Sequence, residues 1–161
     1  MRHAKAEAFA PTDHERVLTD RGVADATAAG RWARENGVLP QRVLVSSAAR
    51  TRETWDAFSE AAGCHAETVV DPGIYTAGTD AALEILRTVD DEVDRLMIVG
   101  HNPTMASLVL MLDDGGADPE VFERLASGYP TSAMAVLEID GSWADLDVAG
   151  ARIRDVHVGR G

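Results

Sequence analysis

Two short apolar runs, each leading directly into a helical pattern, constrain the fold of this chain more than any other feature of its sequence. The first run is RVLVS (42–46) and the second is LMIVG (96–100). Continuous apolar runs of this length are typical of parallel strands that helices cover on both faces. The sequence therefore predicts an α/β fold, a three-layer α/β/α sandwich with a mostly parallel central sheet.

Helical patterns surround these runs. The stretch 18–37 predicts a helix with Thr19 as its N-cap, Val23 on its buried side and Gly37 as its stop. Periodic apolar residues predict further helices at 48–62, 79–88, 104–112 and 119–126.

The pattern changes near the C-terminus. Alternating apolar and polar residues on both sides of Asp140-Gly141 predict an antiparallel hairpin over 132–148, and RIRDVHV (152–158) is a candidate last strand. The hairpin adds an antiparallel edge to the predicted parallel sheet.

Length and charge limit the classes of protein to consider. The 161 residues predict one domain, spanning 1–161, and no apolar run approaches the ~20 residues that cross a bilayer. Without a signal-peptide pattern we expect a cytoplasmic protein. The single cysteine, Cys64, excludes an internal disulfide. A net charge of −12 argues against nucleic acids and anionic membranes as partners, so any anion site must concentrate positive charge locally.

Cationic and polar side chains follow both apolar runs at the point where each predicted strand ends. Arg50 lies near the first turn of the helix that follows the first run, and His101 directly follows the second. Ligands of open α/β sheets gather at the carboxyl ends of the strands, where helix N-termini attract anions. If the opening Met-Arg-His also lies along the sheet, Arg2 and His3 join the same edge.

Two arginines and two histidines around one pocket suit a tetrahedral dianion such as phosphate or sulfate. The forked donors of arginine match its oxygens, and an imidazole can act as nucleophile or as a further donor. Because no carboxylates cluster with these residues, the pattern predicts no metal and no other cofactor.

Four stretches of the chain resemble one family. MRHAKAE (1–7) is similar to the Arg-His-Gly or Arg-His-Ala signature of the histidine phosphatase superfamily, the phosphoglycerate mutase-like proteins. VSSAARTRETW (45–55) resembles its second arginine motif, and VGHNPTM (99–105) resembles its second histidine motif. DHERVLTDRGVADA (13–26) and YPTSAMAVLEIDG (129–141) are similar to the short SixA-like branch, the bacterial phosphohistidine phosphatases.

The resemblance implies a role for each candidate residue. His3 corresponds to the nucleophile that becomes phosphorylated, Arg2 and Arg50 to the phosphate clamp, and His101 to the second histidine that contacts the phosphoryl group. Arg16 matches a further arginine of the phosphate site. The implied reaction is phosphoryl transfer to His3 followed by hydrolysis of the phosphohistidine.

Two departures from longer members of the family concern the proton donor and the first strand. The stretch DPGIYTAGTDAALEILR (71–87) has no carboxylate where longer members carry their acid. Asp13 is a candidate for that acid, and a loop or N-cap residue is the alternative interpretation. Family members also have apolar residues ahead of the Arg-His pair that form a central strand, so this strand is either truncated here or formed differently.

The resemblance favours a phosphatase that acts on phosphohistidine in a protein such as a phosphotransfer domain. The alternatives are a phosphomonoesterase of small phosphorylated substrates and a catalytically inactive module that binds phosphorylated ligands. The remaining histidines, His14, His65 and His157, lack metal-ligand spacing and are interpreted as surface residues.

Overall fold

Strands and helices alternate along most of the chain in the computed structural model, which describes residues 1–161. The strands are β1 (Arg42–Ser46), β2 (Glu67–Asp71), β3 (Leu96–Val99), β4 (Ala133–Ile139) and β5 (Ala151–Val158). The helices are α1 (Asp20–Glu35), α2 (Ala49–Ala62), α3 (Gly73–Thr76), α4 (Thr79–Arg87), α5 (Thr104–Leu112) and α6 (Pro119–Ala126). None of these helices is long and apolar enough to cross a membrane.

The sheet has a parallel part and an antiparallel part. Strand β1 lies between β2 and β3 and is parallel to both, and β4 pairs with β5 in an antiparallel ribbon. The first residues of the chain connect the two parts, since Arg2 forms a parallel bridge with Gly100 and its main-chain nitrogen donates to the oxygen of Ala133, at 2.9 Å. The predicted fold class is confirmed.

Two apolar cores lie on opposite faces of the sheet. Val43 and Val45 of β1 point into the core beneath α1 and α2, whereas Leu44 points into the core formed with α4, α5 and α6. Successive residues of a strand face opposite sides, so β1 is buried on both faces as its apolar run predicts. The three layers follow from this arrangement.

Helix α1 starts as predicted, with the Thr19 hydroxyl accepting from the Gly22 nitrogen. Its buried side consists of small residues, which allow α1 to approach α2 so closely that Gly30 lies against the main chain of Phe58. The prediction that Val23 faces the core is wrong. Its side chain is 45% exposed, because the buried stripe runs through the neighbouring Gly22 instead.

The predicted antiparallel hairpin near the C-terminus is confirmed, but its second strand is the one predicted at 152–158, and the prediction that 142–148 forms that strand is wrong. Residues 140–150 form turns without a strand, and β4 pairs with β5 across this longer connection. Strand β2 was not predicted at all. It lies at the edge of the sheet with an exposed ETVV stretch, so it lacks the apolar run that marks β1 and β3.

A cavity of about 780 Å³ separates part of β3 from part of β4. Residues 1–3 fill one end of this gap, and the Met1 nitrogen donates to the oxygen of Ile98 at 2.7 Å. Beyond Met1 the cavity is lined by Leu96 and Ile98 of β3, and by Ala135 and Leu137 of β4. The opening residues thus complete the sheet only beside the carboxyl end of β3.

Candidate active site

Three segments of the sheet bring their polar residues to one edge. Ser46 is the last residue of β1, His101 comes two residues after the end of β3, and His3 follows the bridge between Arg2 and Gly100. Because the strands are parallel, their carboxyl ends coincide, as the sequence predicts. The His3 main chain is anchored on both sides, its nitrogen to Gly100 at 3.0 Å and its oxygen to the Ser132 nitrogen at 3.1 Å.

His3 is buried and held in one orientation. Its Nδ1 atom lies 2.7 Å from the main-chain oxygen of Ala4, which can only accept, so Nδ1 carries the proton and donates. The Ala4 nitrogen in turn donates to the Thr54 hydroxyl of α2 at 2.9 Å. Nε2 is therefore the unprotonated, nucleophilic nitrogen of the ring.

The His3 ring is neutral at physiological pH. Its pKa is lowered to about 4, chiefly by burial; the bond to Ala4 opposes this shift, and the positive charges of Arg50, Arg2 and Arg16 add to it. A ring in this state keeps a free electron pair on Nε2.

His101 lies beside His3, with 5.2 Å between the ring centroids. Its Nε2 atom is 2.8 Å from the hydroxyl of Ser46, which is fully buried at the end of β1. Burial lowers the pKa of His101 to about 3, and the charges of Arg50 and His3 contribute in the same direction. The second ring is therefore also neutral.

Arg2 lies next to His3 in the opening segment of the chain. Its Nη1 donates to the main-chain oxygen of Tyr129 at 3.0 Å, and the same oxygen accepts from the Asn102 amide at 2.8 Å. The buried Nε of Arg2 has no hydrogen-bond partner within the protein. A donor of this kind is available to an anion.

Arg50, in the first turn of α2, is buried and directed at Asp13. Its Nη1 donates to the main-chain oxygen of Asp13 at 2.7 Å and its Nη2 to the carboxylate Oδ2 at 3.0 Å. Arg16 donates to the other carboxylate oxygen, Oδ1, at 2.8 Å. The two arginines thus share one carboxylate between them.

Tyr75 and His14 are part of the site although neither was a candidate. The Tyr75 hydroxyl donates to Oδ2 of Asp13 at 2.8 Å, and its ring makes edge contacts with His14 and His101. His14, interpreted from the sequence as a surface residue, is half-buried and bonded to Ser47 at 2.9 Å. Of the other two histidines interpreted as surface residues, His65 is exposed, and His157 is half-buried against Trp32.

Known proteins resemble this chain over nearly its whole length. A candidate phosphohistidine phosphatase SixA from Nakamurella multipartitia is 35% identical, with a TM-score of 0.86 over 99% of this chain and 93% of that one. An uncharacterized protein of Mycobacterium tuberculosis is 37% identical over 99% of this chain and all of the relative. The phosphohistidine phosphatase SixA of Escherichia coli is 27% identical over 88% of this chain and 84% of its own. No family model matches the chain.

The chain belongs to the SixA-like branch of the histidine phosphatase superfamily. The residues that the family resemblance singled out, Arg2, His3, Arg16, Arg50 and His101, converge at one edge of this SixA-like fold, and Asp13 lies among them. No group of three or more histidine, cysteine, aspartate or glutamate side chains there could hold a metal ion.

Asp13 does not have the protonated carboxyl group that a proton donor requires. Its hydrogen bonds from Arg16, Tyr75 and Arg50 hold the pKa of its carboxyl group well below the usual range. The side chain is therefore an ionised acceptor in this arrangement. The role of general acid remains a prediction for Asp13, and it would require the arginines to release the carboxylate first.

Proposed function

We propose that this chain is a metal-independent phosphatase that forms a phosphohistidine at His3, and that its substrate is phosphohistidine on a protein such as a phosphotransfer domain. Residues 1–161 form its single catalytic domain. The observation that carries the proposal is the hydrogen bond from His3 Nδ1 to Ala4, which leaves Nε2 unprotonated in the positive field of Arg50, Arg2 and Arg16.

In the first step, the electron pair of His3 Nε2 attacks phosphorus, and the bond from phosphorus to the leaving nitrogen breaks on the opposite side. Arg2 and Arg50 hold the equatorial oxygens, on which the negative charge is spread, and Arg16 adds a third positive charge. The neutral state of His3 matters here, since a protonated ring has no electron pair to donate.

In the second step, water attacks the phosphorus of the phosphorylated His3, the bond to Nε2 breaks and inorganic phosphate leaves. The same arginines stabilise this transition state, so one site serves both halves of the reaction. His101 contacts the phosphoryl group, since its ring centroid lies 5.2 Å from that of His3. Because its pKa is low, the His101 ring stays neutral and does not take up a proton at neutral pH.

The state of Asp13 favours phosphohistidine over alkyl phosphate esters. An alkoxide leaving group needs a proton in the transition state, whereas the ring nitrogen of phosphohistidine is readily protonated before it leaves. With its pKa held low by Arg16 and Tyr75, Asp13 has no proton to give at neutral pH. The site therefore suits a substrate that does not require a strong acid.

The mouth of the site is accessible enough for a protein substrate. The side chain of Asp13 is 54% exposed, and the connection from β2 to β3 holds only the helices α3 and α4. A small metabolite that must be retained and reoriented, as in a mutase, favours an enclosed pocket. The SixA name of the Escherichia coli and Nakamurella relatives agrees with this substrate class.

The experiment is a comparison of kcat/KM for a phosphohistidine-containing phosphotransfer domain, phosphoramidate, p-nitrophenyl phosphate and an alkyl phosphomonoester, without added metal. We expect the ratio to be highest for the phosphohistidine protein and lowest for the alkyl ester. A preference for the alkyl ester would favour the second candidate, a phosphomonoesterase. Failure to turn over any of the four, with tungstate binding retained, would instead indicate an inactive phospho-ligand module.

A further inference from the structure

We propose that the carboxylate of Asp13 competes with the phosphoryl group for the donors of Arg50 and Arg16, so that anions bind more weakly and phosphate leaves faster. The inference rests on the proposed function and adds a positioning role for a side chain that does no chemistry in it. Tyr75 then has a role as well, because its hydroxyl group holds the Asp13 carboxylate in place.

The contacts of Asp13 are those expected of a bound oxyanion. Oδ1 accepts from Arg16 Nη1 at 2.8 Å, and Oδ2 accepts from Arg50 Nη2 at 3.0 Å and from the Tyr75 hydroxyl at 2.8 Å. A carboxylate and a phosphoryl group both present adjacent negative oxygens to forked arginine donors, and they use the same donors. A phosphoryl group that takes the Nη2 hydrogen of Arg50 now donated to Oδ2 therefore displaces the carboxylate.

Arg50 is built to exchange one partner and keep another. Both of its hydrogen bonds go to Asp13, one to the main-chain oxygen at 2.7 Å and one to the carboxylate. The bond to the main chain keeps the guanidinium in the site when the carboxylate moves away. Arg16 has a similar second anchor, since its Nε donates to the Glu7 oxygen at 2.6 Å.

The carboxylate can leave because only the arginines and Tyr75 retain it. Asp13 begins a single 3-10 turn, Asp13–Glu15, that contains no buried residue, and about half of its side chain faces solvent. Once displaced, it can be hydrated without an energetic penalty of the kind a buried charge suffers. Its negative charge near the clamp then repels the phosphate product.

The test is calorimetric titration of tungstate into the full chain and into Asp13→Asn, which removes the charge but nearly preserves the shape. We expect tungstate to bind the variant about tenfold more tightly at low salt, the order expected from the loss of one nearby charge. Inorganic phosphate should become a correspondingly stronger product inhibitor of p-nitrophenyl phosphate hydrolysis. The matched control is Glu92→Gln, an exposed residue ahead of β3 at the opposite edge of the sheet, which should leave tungstate affinity unchanged.

A purely structural role for Asp13 predicts the opposite change in tungstate affinity. If the carboxylate merely orients Arg50 and Arg16, Asp13→Asn should weaken tungstate binding, and that result, or an unchanged affinity, would overturn the proposal. Tyr75→Phe is the second variant, since it removes one bond to Oδ2 and should tighten tungstate binding by a smaller factor even if Asp13→Asn does not fold. Absence of tungstate binding to the unmodified chain would count against the proposed function itself.

Discussion

His3 and His101 face each other across the site, with their ring centroids 5.2 Å apart and their planes inclined by 56°. Two protonated imidazoles at this distance, with Arg50 close to both, would repel each other strongly. Burial prevents this by keeping both rings neutral, and the same burial makes one of them a nucleophile. The pair is the feature of the site most directly open to measurement.

The protonation of these two rings should be abnormal in solution. Because the pKa is lowered to about 4 for His3 and about 3 for His101, both rings should stay neutral as the pH falls from 7.5 to 5.5. Long-range ¹H–¹⁵N NMR spectra across this range should show unprotonated ring nitrogens for both, with exposed His65 as the internal reference. Protonation of His3 near its ordinary value of ~6.5 would contradict the description of the site.

Replacement of His3 by alanine should abolish the covalent intermediate. The nucleophile has no substitute within the site, and we expect kcat to fall by about 10³-fold or more. Rapid quench with labelled substrate should trap an acid-labile, base-stable phosphoryl adduct in the unmodified chain and none in the variant. Turnover close to that of the unmodified chain would mean that another residue is phosphorylated.

Arg50 and Arg16 should differ in which kinetic constant they control. Arg50 is buried beside the histidines, so Arg50→Ala should lower kcat by about 10²–10³-fold, as expected for loss of a transition-state donor. Arg16 is nearer to solvent, and Arg16→Ala should raise KM, with an effect that shrinks as salt screens the charge. Steady-state kinetics across a salt series distinguishes them, and an Arg16→Ala variant identical to the parent at low salt would place Arg16 outside the phosphate site.

Chelators should leave the activity unchanged. The groups around His3 are arginine donors and neutral imidazoles, and no set of three metal-ligating side chains accompanies them. Activity should therefore survive EDTA, whereas vanadate and tungstate should compete with substrate for the arginines. The assay compares initial rates before and after dialysis against EDTA, and strict recovery by magnesium or zinc would refute the mechanism.

The contact between α1 and α2 should be sensitive to a single methyl group. A Cβ atom at Gly30 would overlap the main-chain oxygen of Phe58, and backbone cannot move aside as a side chain can. Gly30→Ala should lower the free energy of unfolding by about 1–3 kcal/mol, although alanine gains about 1 kcal/mol in helix propensity. Urea unfolding checks this value, and Arg31→Ala, an exposed neighbour on the same helix, should change little.

The main elements and the centre of the site could be predicted because their signals are local. The strands β1 and β3 are apolar runs, and a residue that follows such a run must lie at the carboxyl edge of the sheet. Arg50 and His101 satisfy this rule, and His3 followed from the family motif.

The rest depends on contacts between distant segments. Tyr75 lies in a helix of four residues that follows an exposed edge strand, and neither has a pattern that marks it in the sequence. The ionised state of Asp13 requires Arg16, Arg50 and Tyr75 to meet around it, which only the folded chain achieves. Likewise, residues 142–148 alternate in polarity but form no strand, because β4 pairs with β5 instead.

The cavity beside Met1 has a practical consequence for handling this protein. The Met1 nitrogen lies inside the sheet, bonded to Ile98, and the space ahead of it is bounded by the edges of β3 and β4. Any affinity tag fused directly to Met1 must thread its first residues through this apolar gap or pull residues 1–3 out of it, and His3 moves with them. A purification handle at Gly161 avoids this gap, since Gly161 lies against Ala24 and Asp25 of α1.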